Sequence, residues 1–145
     1  MTAVLNKNDI KNIIPHREPM LLVDEIIEME AEKSITSRFF VDPAMEIFKG
    51  HFPDEPVLPG VYSVEIMAQT CDVLMLSLAR YSGKTPLFLG VDRVSFKSKI
   101  KPGDTLETRA ELVSERPEKA IVTLSAEVFD GGTLAASGLI TLAMR

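Results

Sequence analysis

One helical pattern constrains this chain more than anything else in it. From Gly60 to Tyr81 the residues GVYSVEIMAQTCDVLMLSLARY keep helical spacing, with Val61, Val64, Ile66, Met67, Ala68, Cys71, Val73, Leu74, Met75 and Leu78 covering most of the circumference. A helix that is apolar nearly all round has to be buried. It is the only convincing long helix in 145 residues, so something else must wrap it. The flanking sequence supplies strands: Met20–Glu28 and Lys33–Val41 before it, then Leu87–Ile100, Thr105–Ser114, Ala120–Phe129 and Thr133–Met144 after it. Turn residues separate the last four, and Asp130-Gly131-Gly132 suits a tight hairpin. A short helix over Asn6–Ile14 ends at Pro15. The pattern predicts an α+β domain over residues 1–145, an antiparallel sheet around one helix. βαβ alternation, a glycine-rich phosphate loop and internal repeats are all missing, which removes the usual nucleotide-binding readings.

Composition narrows the partners. A net charge of −5 argues against nonspecific binding to nucleic acid or an anionic membrane. The one cysteine, Cys71, cannot form an internal disulfide. The first residues lack a basic head followed by a long apolar run, and no apolar stretch approaches the ~20 residues of a membrane helix. The expectation is a soluble, cytoplasmic protein.

Against the apolar helix, Tyr62, Glu65, Gln69 and Asp72 stand at i, i+3, i+7 and i+10 on one narrow stripe. Such a stripe more commonly faces solvent, yet no basic residue accompanies it before Arg80. A carboxyl in apolar surroundings favours its neutral form, which suits a general acid. Just upstream, the loop from Asp42 to Pro59 is stiffened by Pro43, Pro53, Pro56 and Pro59 and carries His51 after Gly50. A lone loop histidine is more often merely hydrogen-bonded or exposed. Here its rigid setting beside the buried helix, and a side chain that exchanges protons near neutrality, make it a candidate base. His16, in IPHREP, reads as structural. The histidine spacing offers no metal ligand pair. There is no GxSxG elbow, and Cys71 reads as packing. What remains is acid–base chemistry.

The blocks PHREPMLLVDEI, GHFPDEPVLPG, VEIMAQ and FLGVDRVSFKSKIKPGD, in this order, closely resemble the bacterial (3R)-3-hydroxyacyl-[acyl-carrier-protein] dehydratases of the non-isomerising branch. The resemblance runs from about Asn12 to the end of the chain. It implies a hot-dog fold, with six or seven antiparallel strands wrapped around the helix. It also implies a homodimer with sites at the interface, often a trimer of dimers, in which His51 of one chain faces Glu65 of the other. The substrate would be a 3-hydroxyacyl group on acyl carrier protein, dehydrated to the trans-2-enoyl thioester in fatty-acid synthesis. His51 would take the C2 proton and Glu65 would protonate the leaving hydroxyl. N–H groups at Gly60 or Val61 would stabilise the thioester oxygen, Gln69 would orient the carboxyl or the leaving water, and Phe52 and Pro59 would line the substrate path. Glu65, rather than aspartate, favours the non-isomerising branch. Water elimination moves no electrons, so no metal or redox cofactor is called for.

Lys97, Lys99 and Lys101 alternate along a presumed strand with Arg93 in phase, a row that suits either docking of an acidic carrier or a lysine-protected sheet edge. Departures from the family pattern are Glu18, Asp54, Leu58, Thr70, Cys71 and Asp72. The rivals are a hot-dog thioesterase and a noncatalytic acyl-thioester-binding subunit.

Overall fold

The structure, a computed structural model, describes residues 4–145. The elements in chain order are α1 (Lys7–Lys11), β1 (Glu25–Glu30), β2 (Ser34–Phe40), a short 3₁₀ helix (Glu46–Lys49), α2 (Gly60–Leu76), β3 (Pro86–Phe96), β4 (Thr105–Arg116), β5 (Ile121–Asp130) and β6 (Thr133–Met144). All six strands join one antiparallel sheet in the order β1-β2-β4-β5-β6-β3. α2 bridges the two sides of that sheet, leaving β2 near one edge and delivering the chain to β3 at the other. On the way it packs against β2 through β6.

The core follows from the sequence pattern. Ile66, Met67, Leu74 and Met75 of α2 are fully buried against Ile35, Leu106, Leu124 and Ile140 of the sheet. Each such side chain contributes roughly 1.5–3 kcal/mol by leaving water. The β5–β6 hairpin closes through Gly131 and Gly132 at φ 58° and 86°. Two consecutive positive φ angles define the type I′ turn that matches strand twist, and glycine adopts them without strain.

Three boundaries differ from expectation by four residues or more. The first strand starts at Glu25 rather than Met20, because the Leu22 N–H and the Met20 carbonyl bond to the Gln69 side chain instead of a strand. α2 stops at Leu76 although apolar spacing continues. The Ser77 hydroxyl takes the Val73 carbonyl, and Arg80 and Tyr81 turn away to Glu115. β3 ends at Phe96 rather than Ile100, because Lys97 and Ser98 both donate to the Ala135 carbonyl and the ladder's alternation fails there.

Candidate active site

His51 is held by its own loop. The 3₁₀ helix places its N–H on the Ile47 carbonyl, and its carbonyl accepts from the Val57 N–H. The ring Nδ1 lies 2.8 Å from the Val57 carbonyl. A carbonyl can only accept, so Nδ1 carries the proton and Nε2 keeps its lone pair. Phe52 stacks on the imidazole with centroids 4.0 Å apart. His51 is therefore oriented as a base by backbone alone. Pro59 is the N-cap residue of α2, and no side chain caps the helix start. The N–H groups of Gly60 and Val61 thus stand at the positive end of the helix dipole without an intrahelical acceptor. A Cβ on Gly60 would come within 3.0 Å of the Phe96 ring, so glycine permits the close approach of helix and strand.

The polar stripe of α2 turns inward rather than to solvent. Gln69 is fully buried and Asp72 nearly so. Gln69 Oε1 accepts from the Leu22 N–H at 2.8 Å, while Nε2 donates to the Met20 carbonyl at 2.7 Å and to Glu65 Oε2 at 2.8 Å. One amide therefore orients Glu65 and ties the Met20–Val23 segment to the helix.

That tie brings in a residue the sequence reading placed outside the site. His16 Nε2 lies 3.7 Å from Glu65 Oε2 and 3.8 Å from Asp72 Oδ2. The expectation that His16 is structural judged it by chain neighbours, but the relevant neighbours are about fifty residues away. Arg17 fixes the connector by donating to the carbonyls of Lys11, Ile14 and His16. Burial lowers the His16 pKa, with Glu65 raising it and Arg17 lowering it further. Burial pushes the Asp72 carboxyl well above the usual carboxylate range, and Glu65 adds to that. The Cys71 thiol is likewise pushed up by burial, as expected of a packing residue.

The basic row is not one row. Lys97, Lys99 and Lys101 lie beyond the end of β3. Arg93 sits at φ 53° within a register shift between Asp92 and Ser95, which breaks its phase with the lysines. Lys97 and Lys99 border an open groove of about 350 Å³ with Val57, Gly60 and Phe96, and Lys101 borders the next one beside Asp54. Arg93 lines a separate groove with Glu127 and Ser137. Among the described residues no carboxylate stands within ion-pair distance of His51. Glu65 is engaged by Gln69 and faces His16.

The FabA-like domain model matches residues 14–138, so the chain belongs to the FabA-like family. Among curated relatives, the 3-hydroxyacyl-[acyl-carrier-protein] dehydratase FabZ of Clostridioides difficile is 40% identical over 141 residues, covering 97% of this chain and 98% of that protein. The FabZ of Clostridium beijerinckii is 49% identical over 112 residues, covering 76% of this chain and 79% of that one. Among solved structures, a chain of the dehydratase heterocomplex ApeI:P from Xenorhabdus doucetiae superposes with a TM-score of 0.77 at 18% identity. It covers 94% of this chain and 90% of that one, a likeness of fold, and the fold is the hot-dog.

Proposed function

We propose that His51 and Glu65 are the acid–base pair of a dehydration, each supplied to the site by a different subunit. The chain is a 3-hydroxyacyl-[acyl-carrier-protein] dehydratase of fatty-acid synthesis, and acyl groups on acyl carrier protein are its substrate. The observation that carries the assignment of roles is the His51 tautomer. With Nδ1–H committed to the Val57 carbonyl, Nε2 is free to remove the C2 proton. Glu65, oriented by Gln69, protonates the C3 hydroxyl so that water leaves and the conjugated enoyl thioester remains. Negative charge growing on the thioester oxygen meets the N–H groups of Gly60 and Val61, a preorganised donor pair. Each positioned proton transfer contributes ~10²–10⁴-fold.

A site shared between subunits is supported by the β3 edge of the sheet. Leu87, Phe88, Leu89, Val91 and Phe96 are exposed on this strand, which pairs β6 on one side and no strand of its own sheet on the other, and Phe52 and Val61 are exposed as well. An edge of this kind invites pairing with another chain. Pairing two copies edge to edge makes a dimer that brings loop and helix of different chains together, and such dimers associate as a trimer. Phe52, Pro59 and Val61 then line the acyl path. Lys97, Lys99 and Lys101 offer positive charge to an acidic carrier, and Arg93 is left out of that surface. The chain works as a single domain in the cytoplasm, and no helix among the described residues is long and apolar enough to cross a membrane.

The test follows enoyl thioester formation from a 3-hydroxyacyl carrier substrate with His51→Ala, Glu65→Ala and a refolded mixture of the two. Each variant alone is expected to be inactive, and the mixture to regain turnover because mixed dimers rebuild one intact site. Full activity in either single variant overturns the pair. A mixture that stays inactive, with dimers formed, overturns the shared site.

A further inference from the structure

We propose that Asp72 is a positioning residue for Glu65, acting through the His16 imidazole whose Nε2 the two carboxyl groups share. The inference rests on Glu65 as the acid. His16 Nε2 stands 3.7 Å from one carboxyl and 3.8 Å from the other, midway between residues two helical turns apart. Gln69, which lies between them on the same stripe, has both amide N–H groups committed to Met20 and Glu65 and its oxygen on the Leu22 N–H, so it has no donor left for Asp72. Asp72 Oδ1 and His16 Nδ1 are buried without any partner among the described residues. The polar group that faces the Asp72 carboxyl is therefore His16.

An uncompensated buried carboxylate is too costly to persist. Asp72 and His16 escape that cost in either of two arrangements of equal net charge. In one, Asp72 is a carboxylic acid beside a neutral imidazole. In the other, the proton sits on Nε2 and Asp72 is a carboxylate beside an imidazolium. Desolvation pushes the Asp72 carboxyl up and His16 down, so both favour the neutral pair at rest. When Glu65 gives its proton to the leaving hydroxyl, a negative charge appears 3.7 Å from Nε2. The His16–Asp72 pair closes from 3.8 Å to hydrogen-bond distance, the Asp72 O–H bond breaks and the His16 Nε2–H bond forms, so that an imidazolium faces the new carboxylate. The proton returns to Asp72 when Glu65 is reprotonated, so the Asp72–His16 pair neither gains nor loses an atom over the cycle. Arg17 is the other charged group near His16. Its guanidinium is turned onto backbone carbonyls and opposes the imidazolium, and Cys71 adjoins Asp72 with its thiol kept neutral by burial.

The test compares Asp72→Asn, which keeps size and hydrogen-bonding ability but has no proton to release, with His16→Gln and the double variant. Circular dichroism and thermal melts confirm that each is folded. Asp72→Asn is expected to lower kcat about tenfold, less than the ~10²–10⁴-fold that losing the proton transfer itself would cost, and to leave KM unchanged. His16→Gln should do the same, and the double variant should be no worse than either, since both break one linkage. With only two histidines in the chain, ¹⁵N spectra resolve His16, whose signals should lose one titration step in Asp72→Asn. Wild-type kcat and an unaltered His16 titration in Asp72→Asn overturn the proposal, as do additive losses in the double variant. An active Glu65→Ala overturns the acid assignment itself. An inactive Glu65→Ala beside a fully active Asp72→Asn overturns the role of Asp72 alone.

Discussion

The two histidines sit in similar surroundings by sequence, each in a proline-bounded connector, yet the structure gives their rings entirely different partners. In the 42–59 loop, His51 is tied to its own backbone, with Nδ1 on the Val57 carbonyl and the ring against Phe52. In the 15–20 connector, His16 is tied to nothing local through its ring. Nδ1 is buried without a partner among the described residues, and Nε2 faces two carboxyl groups on α2. Backbone anchoring fixes a tautomer and leaves one nitrogen free for work. Placement among buried carboxyls makes the other ring part of a shared proton system. The comparison teaches that rigidity of the chain around a histidine says little about its chemistry, which depends on what its two nitrogens face.

The largest expected effect separates the two rings directly. His51→Ala should lower kcat by ~10²–10⁴-fold, because a positioned base is lost, whereas His16→Gln should cost about tenfold. Equal losses in steady-state dehydration would break the contrast. Next in size is Gln69→Ala, which leaves the buried Leu22 N–H unpaired, removes the half-buried bond to the Met20 carbonyl and frees Glu65. It should lower unfolding stability by about 3 kcal/mol in urea melts, at roughly 1–3 kcal/mol per orphaned group, and reduce turnover. Arg17→Ala removes three contacts to carbonyls from the His16 connector and none from the His51 loop. A smaller loss, about 1–2 kcal/mol, is expected, with a few-fold drop in turnover.

The smallest effects are those of pH, and their signs differ within the His16 cluster. Burial depresses the His16 pKa, so in the window from its ordinary value of 6.5 down to the folded value the unfolded chain binds more protons. Stability is therefore full above that window and falls as pH drops through it, and His16→Gln should flatten the fall. The Asp72 pKa is raised above its ordinary value of 3.8, so its contribution is present below that value and is lost as pH rises through the folded pKa. Asp72→Asn should accordingly raise Tm at pH 8 relative to wild type and leave it little changed at pH 4. A Tm profile with neither signature would mean that the cluster is hydrated rather than buried.

Much of this was legible in one dimension. The apolar circumference of α2, the strands β5 and β6 and the Asp130–Gly132 turn all reflect local periodicity and backbone preference, and each lies within a residue or so of where the pattern places it or, for α2, starts there. His51 and Glu65 were legible as candidates for a different reason: a stiff loop leading into a helix with a single early carboxyl is a local arrangement too. Their linkage was not. The strand expected from Met20 failed because Gln69, far along the chain, takes the backbone groups a strand would use. The lysine row failed because a register shift at Asp92–Ser95 and the shared Ala135 carbonyl end the strand's period of two, and no sequence pattern announces either.

What the sequence determined by itself, then, is everything set by spacing along the chain: a buried helix, strands to wrap it, a rigid histidine loop and a family pattern. What only the tertiary structure decided is which way the polar stripe of α2 faces. Periodicity places Glu65, Gln69 and Asp72 on one side of a helix, but whether that side meets water or protein depends on what packs against it. Here the connector carrying His16 covers the stripe, held by Gln69 and Arg17. Burial by a segment about fifty residues away turns a solvent face into a proton-sharing cluster, because desolvation and the approach of unlike groups act through space and not along the chain.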